Sequence, residues 1–591
     1  MKIKLLPIVL LTVVPVLNSC SDFLAEDSDH VIYADDDHLN NATDTIYSVT
    51  GIQNKLQTIA DRTILLGEVR GDLVDVTSNA AADLRNLSDF NIDDKNTYNA
   101  PKDYYAIINN CNYFIAKADT ALKNNRNEYI FMKEYAAVKA YRAWTYLQLV
   151  LNYGSVPFVT EPILTKKEAN KEYPRADIQA ICQYFIKDLA PLVSEEYPQY
   201  GTIRSTDSRF FYFPVYVLLG DLNLWSGNYK EAALDYYRYL NTRNGTNSYY
   251  ATGIDKVTWN HYSGEQWDYS NSWTSIYDSW SRSTGSEYYS AQGELITMIP
   301  GDSISSEGHY SQLRNLFNSG DENNYNVSLI PSTGIEELSA SQANCIISGR
   351  SGDLDTLYAP ANLESYLSGD LRLYAVWNYS NNAVVNGKKT FVQNISKYNS
   401  RNIHIYRRQM VYLRMAEALN RAGYPRFAYR ILAGGVNNNV IEDDIKPYYP
   451  KDSQYLDQFD FSSTRYILES TIEANNENTE GIHDRGCGFS LYNKYYQMPV
   501  TTAKDSLAYQ EEKVEDMIAD EEGLEFAFEG DRFYDLMRIA LRRNDPAFLA
   551  DRIYKREGTA NIALMKSKIK VDLYDTKNWY LSWKGKIGYT N

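Results

Sequence analysis

The feature that most constrains how this chain can fold is a helical hairpin pattern that occurs twice. Tyr216, Leu219, Gly220, Ala232 and Tyr236 lie at spacings matched position for position far downstream by Tyr412, Met415, Ala416, Ala428 and Leu432. Gly227-Asn228-Tyr229 marks the turn in the first copy and Gly423 the turn in the second. Residues three and four apart share a helix face, and the small residues at 220/232 and 416/428 let two helices approach closely. A single hairpin of this kind cannot bury its own apolar face, so it must stack on neighbours. Those neighbours are predicted at 104–122 and 129–153. In the second, Ala140, Ala143, Trp144, Leu147 and Val150 or Leu151 line one face before Gly154 and Pro157 stop the helix. Helical periodicity begins near Leu39.

The hairpin spacing is that of a tetratricopeptide repeat, although two coincidental hairpins would give the same pattern. Between the copies, over 243–404, the texture changes to Asn, Gly, Ser and Thr with aromatics. Short extended candidates occur there at Glu294 to Ile299 and Thr390 to Ile395. The fold expected is mostly α: a tetratricopeptide helical scaffold with an inserted loop-rich region containing short strands. At 591 residues the chain exceeds one ordinary domain. The expected division is a signal peptide at 1–19, an acidic tether at 20–38, an N-terminal helical part at 39–242, the insertion at 243–404 and a C-terminal helical part at 405–591.

The N-terminus carries an address. Met1-Lys2-Ile3-Lys4, an apolar run from Leu5 to Leu17 and Asn18-Ser19-Cys20 have the layout of a secretory signal. The run falls short of the roughly 20 residues that a membrane-spanning helix needs. Leu17-Asn18-Ser19-Cys20 is similar to a bacterial lipobox, in which Cys20 would be lipidated and become the first mature residue; the alternative is an ordinary signal with an incidental cysteine. Asp35-Asp36-Asp37 lies in a solvated acidic stretch that lacks the glycine turn and distal glutamate of a calcium loop.

Charge and motif content narrow the function. With 59 Lys+Arg against 76 Asp+Glu the formal charge is -17, so phosphate backbones are repelled and nucleic acid is not an expected partner. Cys111, Cys182, Cys345 and Cys487 are widely spaced, which favours buried thiols over a zinc site, with one disulfide left open. The six histidines form no H-E-x-x-H, and no G-x-S-x-G or Walker-type loop is present. No cofactor is indicated and an enzyme is not expected. A glycosidase, which needs only two suitably placed carboxylates, stays open as a minor alternative, as does a scaffold that binds no small ligand.

Aromatic content points to binding. The chain has 52 Tyr, whose apolar face and polar tip suit wet recognition surfaces. Four of its nine Trp fall between 259 and 280, a clustering that asks for a cause. Trp273, Ile276, Tyr277 and Trp280 have helical spacing and are expected in a core. Trp259, Trp267 and Tyr269 have none, and lie among His261, Ser263, Gly264, Glu265 and Asp268. They are candidates for an exposed platform that stacks on the C–H faces of sugar rings. Tyr288 and Tyr289 are further candidates.

Several segments, in this order, resemble the SusD/RagB family of bacterial surface nutrient-binding lipoproteins. They are the lipobox ending at Cys20, the run Glu68 to Asp75, Tyr104 to Asp119 with Asn110-Cys111-Asn112, and Tyr141-Arg142-Ala143 leading to Tyr153 to Pro157. Gly369 to Arg372, Tyr412 to Ala418, Gly481 to Gly486 and Glu525 to Arg538 follow. Ala137 departs from the glutamate common at that position. The resemblance implies a helical tetratricopeptide fold without enzymatic activity, anchored by lipid to the outer membrane and facing the cell exterior. It also implies an oligosaccharide ligand, or a peptide as in RagB-like relatives, and a SusC-like TonB-dependent transporter as partner. By position only, it makes Asp75, Asn79, Arg85 and Asn86 candidate ligand contacts. In the last segment, Phe533, Leu536, Met537, Ala540 and Leu541 are expected on one buried helix face, with Arg532 and Asp535 one turn apart as a structural ion pair.

Overall fold

A computed structural model describes residues 42–203, 206–244, 253–254, 258–261, 267–270, 295–301, 309–342, 345–349, 354–358, 370–461, 467–469, 479–486, 497–499, 507–583 and 587. The fold is mostly helical, with short strands, as the sequence predicts. Helix α1 (Ala42–Glu68) leads to α2 (Ala82–Ser88), α3 (Pro101–Lys117) and α4 (Met132–Tyr153). Helix α3 starts three residues before the expected Tyr104, because Pro101 fits the first helical turn, where no backbone N–H is needed. It ends at Lys117 rather than 122. The following segment turns back on itself through a bridge between Lys123 and Tyr129, which delays α4 to Met132.

The repeated hairpins are α5 (Val215–Ser226) with α6 (Tyr229–Asn244), and α7 (Arg408–Arg421) with α8 (Pro425–Leu432). Gly220 shows why the small positions matter: a Cβ there would lie 2.4 Å from Cε1 of Tyr236. Ala232, Ala416 and Ala428 are fully buried. Helix α7 packs against α6, so the two hairpins stack directly, and α9 (Leu507–Glu525) closes over the second pair. Burial of apolar side chains is continuous from Val49 to Leu581 and joins both ends of the chain in one core.

Both extended candidates of the 243–404 region are strands. Leu295–Ile299 pairs antiparallel with Ile403–Arg407, which leads straight into α7. Lys388–Ile395 pairs with Trp377–Val385 across an Asn386-Gly387 turn with both φ positive, the backbone a two-residue hairpin requires.

The C-terminal motif is an ion-pair staple. In α10 (Arg532–Arg543), Phe533, Leu536, Met537 and Ala540 are buried as expected, whereas Leu541, in the last turn, is 38% exposed. Arg532 does not pair with Asp535. Its Nε and Nη2 donate to the two carboxylate oxygens of Asp72 at 2.6 and 2.9 Å, and Asp535 instead accepts from Arg538 at 2.8 Å. Burial works against the Asp72 charge, but the Arg532 guanidinium outweighs it and holds the carboxyl below its ordinary value. Cys111 and Cys182 are buried free thiols, and burial pushes the Cys111 thiol up to about 12. Cys345 and Cys487 have no described side chains.

Candidate functional site

The sequence-predicted residues fall on two structural features. The first begins at strand β1 (Val74–Val76), which pairs antiparallel with Leu329–Pro331 and sets Asp75 opposite Ile330. The Asp75 carboxylate is half-buried and accepts from the Val76 amide at 2.8 Å. Beyond the strand, the Thr77 hydroxyl donates to the Val327 carbonyl at 2.7 Å, and the Asn79 amide reaches the same oxygen at 3.4 Å. Arg85 is exposed and folds back on its own loop, donating to the carbonyls of Ser78 at 3.4 Å and Ala80. Asn86 is half-buried near the end of α2. Segment 75–86 is thereby laced to the loop at 318–328.

That loop carries a signal the sequence reading missed. Asn324 and Tyr325 have φ of 50° and 60°, the left-handed region that a tyrosine rarely adopts. Each such residue costs about 1–3 kcal/mol and persists only when its surroundings fix it. Asn323 does so, donating to the carbonyls of Asn315 and Asn318 at 2.7 and 2.8 Å while accepting from the Gly320 amide at 3.1 Å. The Asp321 carboxylate raises the Tyr325 phenol. The backbone of a half-exposed tyrosine is therefore held two residues before Val327, whose carbonyl Asn79 reaches. Glu322 of the same loop accepts from the Tyr310 hydroxyl and from Arg401, distant in sequence, whose guanidinium lies 3.4 Å from the centre of the Tyr310 ring.

The second feature is the hairpin Thr258–His261 with Trp267–Ser270. Its register pairs Trp259 with Tyr269 and His261 with Trp267. Because a strand alternates faces at every residue, these four positions share one face, and Asn260 and Asp268 take the other. Three positions that show no helical period in the sequence are thus set on a common face by strand pairing. Cys20, Trp273, Ile276, Tyr277, Trp280, Tyr288, Tyr289 and the Asp35-Asp36-Asp37 triplet lie outside the described residues.

Perturbed acids in a cleft often mark a catalytic site, and here burial raises Asp531 to about 7. The opening beside it, lined also by Asp221, His404 and Arg414, is only about 40 Å³. That volume holds water, not a substrate. Among the described residues no group of three or more His, Cys, Asp or Glu is arranged to hold a metal ion.

Residues 493–587, which span α9, α10 and the segment after them, match the family model of the SusD family. Over those residues the chain is similar to the SusD family. A second model, SHNi-TPR, matches 215–244, which is hairpin α5–α6. No curated protein matches the chain. Among solved structures, a SusD superfamily protein from Bacteroides vulgatus ATCC 8482 is 13% identical with a TM-score of 0.55, covering 92% of this chain and 95% of its own. One from Bacteroides thetaiotaomicron VPI-5482 is 19% identical with a TM-score of 0.53, covering 90% and 98%. A structure described as a SusD-like carbohydrate binding protein, from Bacteroides fragilis NCTC 9343, is 12% identical with a TM-score of 0.51, covering 86% and 88%. At such identities these likenesses establish a shared SusD fold over nearly the whole chain.

Proposed function

We propose that this protein is a non-enzymatic, glycan-binding lipoprotein of the SusD/RagB family. It would be anchored through Cys20 to the outer membrane, face the cell exterior, and deliver captured oligo- or polysaccharide to a SusC-like TonB-dependent transporter. The observation that carries the reading is the hairpin register, which gathers positions 259, 267 and 269 on one face. The carbohydrate-binding description of one structural relative supports it. In this scheme 20–38 is the tether, 39–242 and 405–591 form the scaffold, and 243–404 carries the platform. Asp75, Asn79, Arg85 and Asn86, with Tyr325, Tyr288 and Tyr289, are the further contacts proposed.

Each stacking ring is worth about 0.5–1.5 kcal/mol beyond burial. Trp259→Ala with Trp267→Ala should therefore weaken oligosaccharide binding on the order of 10- to 100-fold, with the melting temperature nearly unchanged. A glycan-and-peptide array followed by titration checks this. Retained binding with a fall of many degrees would make the rings packing residues, and a response to peptides alone would displace the glycan reading.

Anchoring has its own test. Among the described residues no helix is long and apolar enough to cross a membrane. In cells lacking the transporter, Cys20→Ala should move the protein from the membrane fraction to the soluble one. Unchanged sedimentation with membranes would rule out the lipid anchor.

A further inference from the structure

A groove of about 460 Å³ opens where the first two turns of α4 meet the 193–199 loop and the N-terminal end of α5. That volume lies within the range of about 300–1,000 Å³ typical of small-ligand sites. The space is open because, beyond Lys133, α4 contributes only the methyl groups of Ala136 and Ala137 here. Phe213, Tyr197, Tyr216 and Tyr239 supply aromatic walls. Tyr197 is held in orientation by a ladder: its ring stacks on Tyr212 at 5.8 Å and 17°, and Tyr212 stacks on Tyr141 at 6.2 Å and 25°. The groove therefore presents pre-set ring faces.

Its charges select the ligand class. Lys133 is closed by Glu196 at 2.6 Å, and Arg209 by Asp207 through Nε at 2.8 Å and Nη2 at 2.6 Å. Both cations of the groove are thus committed, while Glu195 and Gln199, also lining it, have side chains without a hydrogen-bond partner among the described residues. An anionic ligand would meet a carboxylate and no free cation. Aromatic faces with an acceptor and an amide beside them suit an uncharged, polyhydroxylated ring.

We propose that this groove is a second saccharide site, distinct from the 259–269 hairpin, that takes a short stretch of neutral glycan. It rests on the glycan-binding reading above. Two sites on one chain raise the effective concentration of a polymer for whichever site is empty, and so increase retention without new contacts.

The test is calorimetric titration of the detergent-solubilised full chain with neutral gluco-, xylo-, manno- and galacto-oligosaccharides, and with oligogalacturonate as the acidic probe. Ala137→Leu fills the groove; Tyr216→Ala removes a half-exposed wall and guards against a folding defect in the first variant. For the shortest neutral probe bound, both variants should lose one of two sites, keep their melting temperature, and leave the other site to Trp259→Ala/Trp267→Ala. If the wild type binds neutral probes but both groove variants titrate identically to it, the groove proposal is wrong and the glycan reading stands. If no neutral probe binds the wild type, the glycan reading falls and the groove with it. Oligogalacturonate competing for the site that Ala137→Leu removes would overturn the neutral class.

Discussion

Arg407→Ala is expected to destabilise the protein by about 3–5 kcal/mol, the usual cost of breaking a buried ion pair by removing one partner. Arg407 is fully buried where the strand at 403–407 enters α7. It donates to Glu529 through Nε at 2.6 Å and Nη2 at 2.9 Å, and to Glu525 Oε1 at 2.7 Å. Lys397 shares Glu529 and also donates to the carbonyls of Glu525 and Ala527 at 3.1 and 2.9 Å. Burial works against the charge on Glu529, but Arg407 and Lys397 outweigh it and hold that carboxyl below its ordinary value. Truncating Arg407 removes the larger attraction and leaves Glu529 to Lys397 alone and Glu525 to Arg372, which donates to its other oxygen at 2.8 Å. Urea unfolding of the variant measures the loss; a change under about 1 kcal/mol would mean that water or protonation relieves the site. Partial recovery in Arg407→Met combined with Glu529→Gln would separate charge from packing.

The same staple shows where sequence reasoning stops. The hairpins α5–α6 and α7–α8 were legible because close helix approach demands small residues at fixed local spacing, and local spacing is what a sequence displays. The pairing of Arg532 was not. Asp535 lies one turn away and looked sufficient, whereas the true partner, Asp72, arrives from the other end of the chain. The Leu541 expectation failed for a related reason: helical periodicity carries a stripe to the helix end, but burial there depends on whether another element covers the last turn.

Site residues divide in the same way. Clustering of tryptophans was visible directly, but their common face follows from a strand register that no helical template reveals. Asn79 and Arg85 were reached only through resemblance. Tyr325 gives no sequence signal, since its importance lies in a backbone conformation imposed by Asn323. The aromatic groove draws on α4, the 193–199 loop and both helices of the first hairpin, and so exists only after folding.

Stability is expected to fall as pH rises from about 5 to 8, and Glu68 is one cause, acting beside Glu522, which burial also raises well above its ordinary value. Glu68 ends α1 against the 528–530 loop. That loop seats so closely that a Cβ at Gly67 would lie 1.6 Å from the Gly530 carbonyl oxygen. The carboxyl is fully buried. One oxygen accepts from the Gly530 amide at 2.8 Å, and the other has no hydrogen-bond partner among the described residues. Burial outweighs the backbone hydrogen bonds and raises its pKa to about 8. The folded state therefore binds more protons than the unfolded one between the ordinary glutamate value and 8. The resulting penalty is absent below that window and complete above it, on the order of 5 kcal/mol. Asp531, raised to about 7, acts with the same sign over a narrower range. Lys397 acts oppositely and later: burial lowers it to about 8, so its own penalty is relieved only as pH climbs from there toward the ordinary lysine value. Glu68→Gln keeps the acceptor for Gly530 and removes the ionisation. Its new buried amide donor costs about 1–3 kcal/mol at every pH, so the variant starts less stable at pH 5 and its decline toward pH 8 is much shallower. Urea midpoints of both proteins at pH 5, 6.5 and 8 decide the matter: parallel slopes would place the pH dependence elsewhere, whereas converging or crossing curves assign a share of it to this carboxyl.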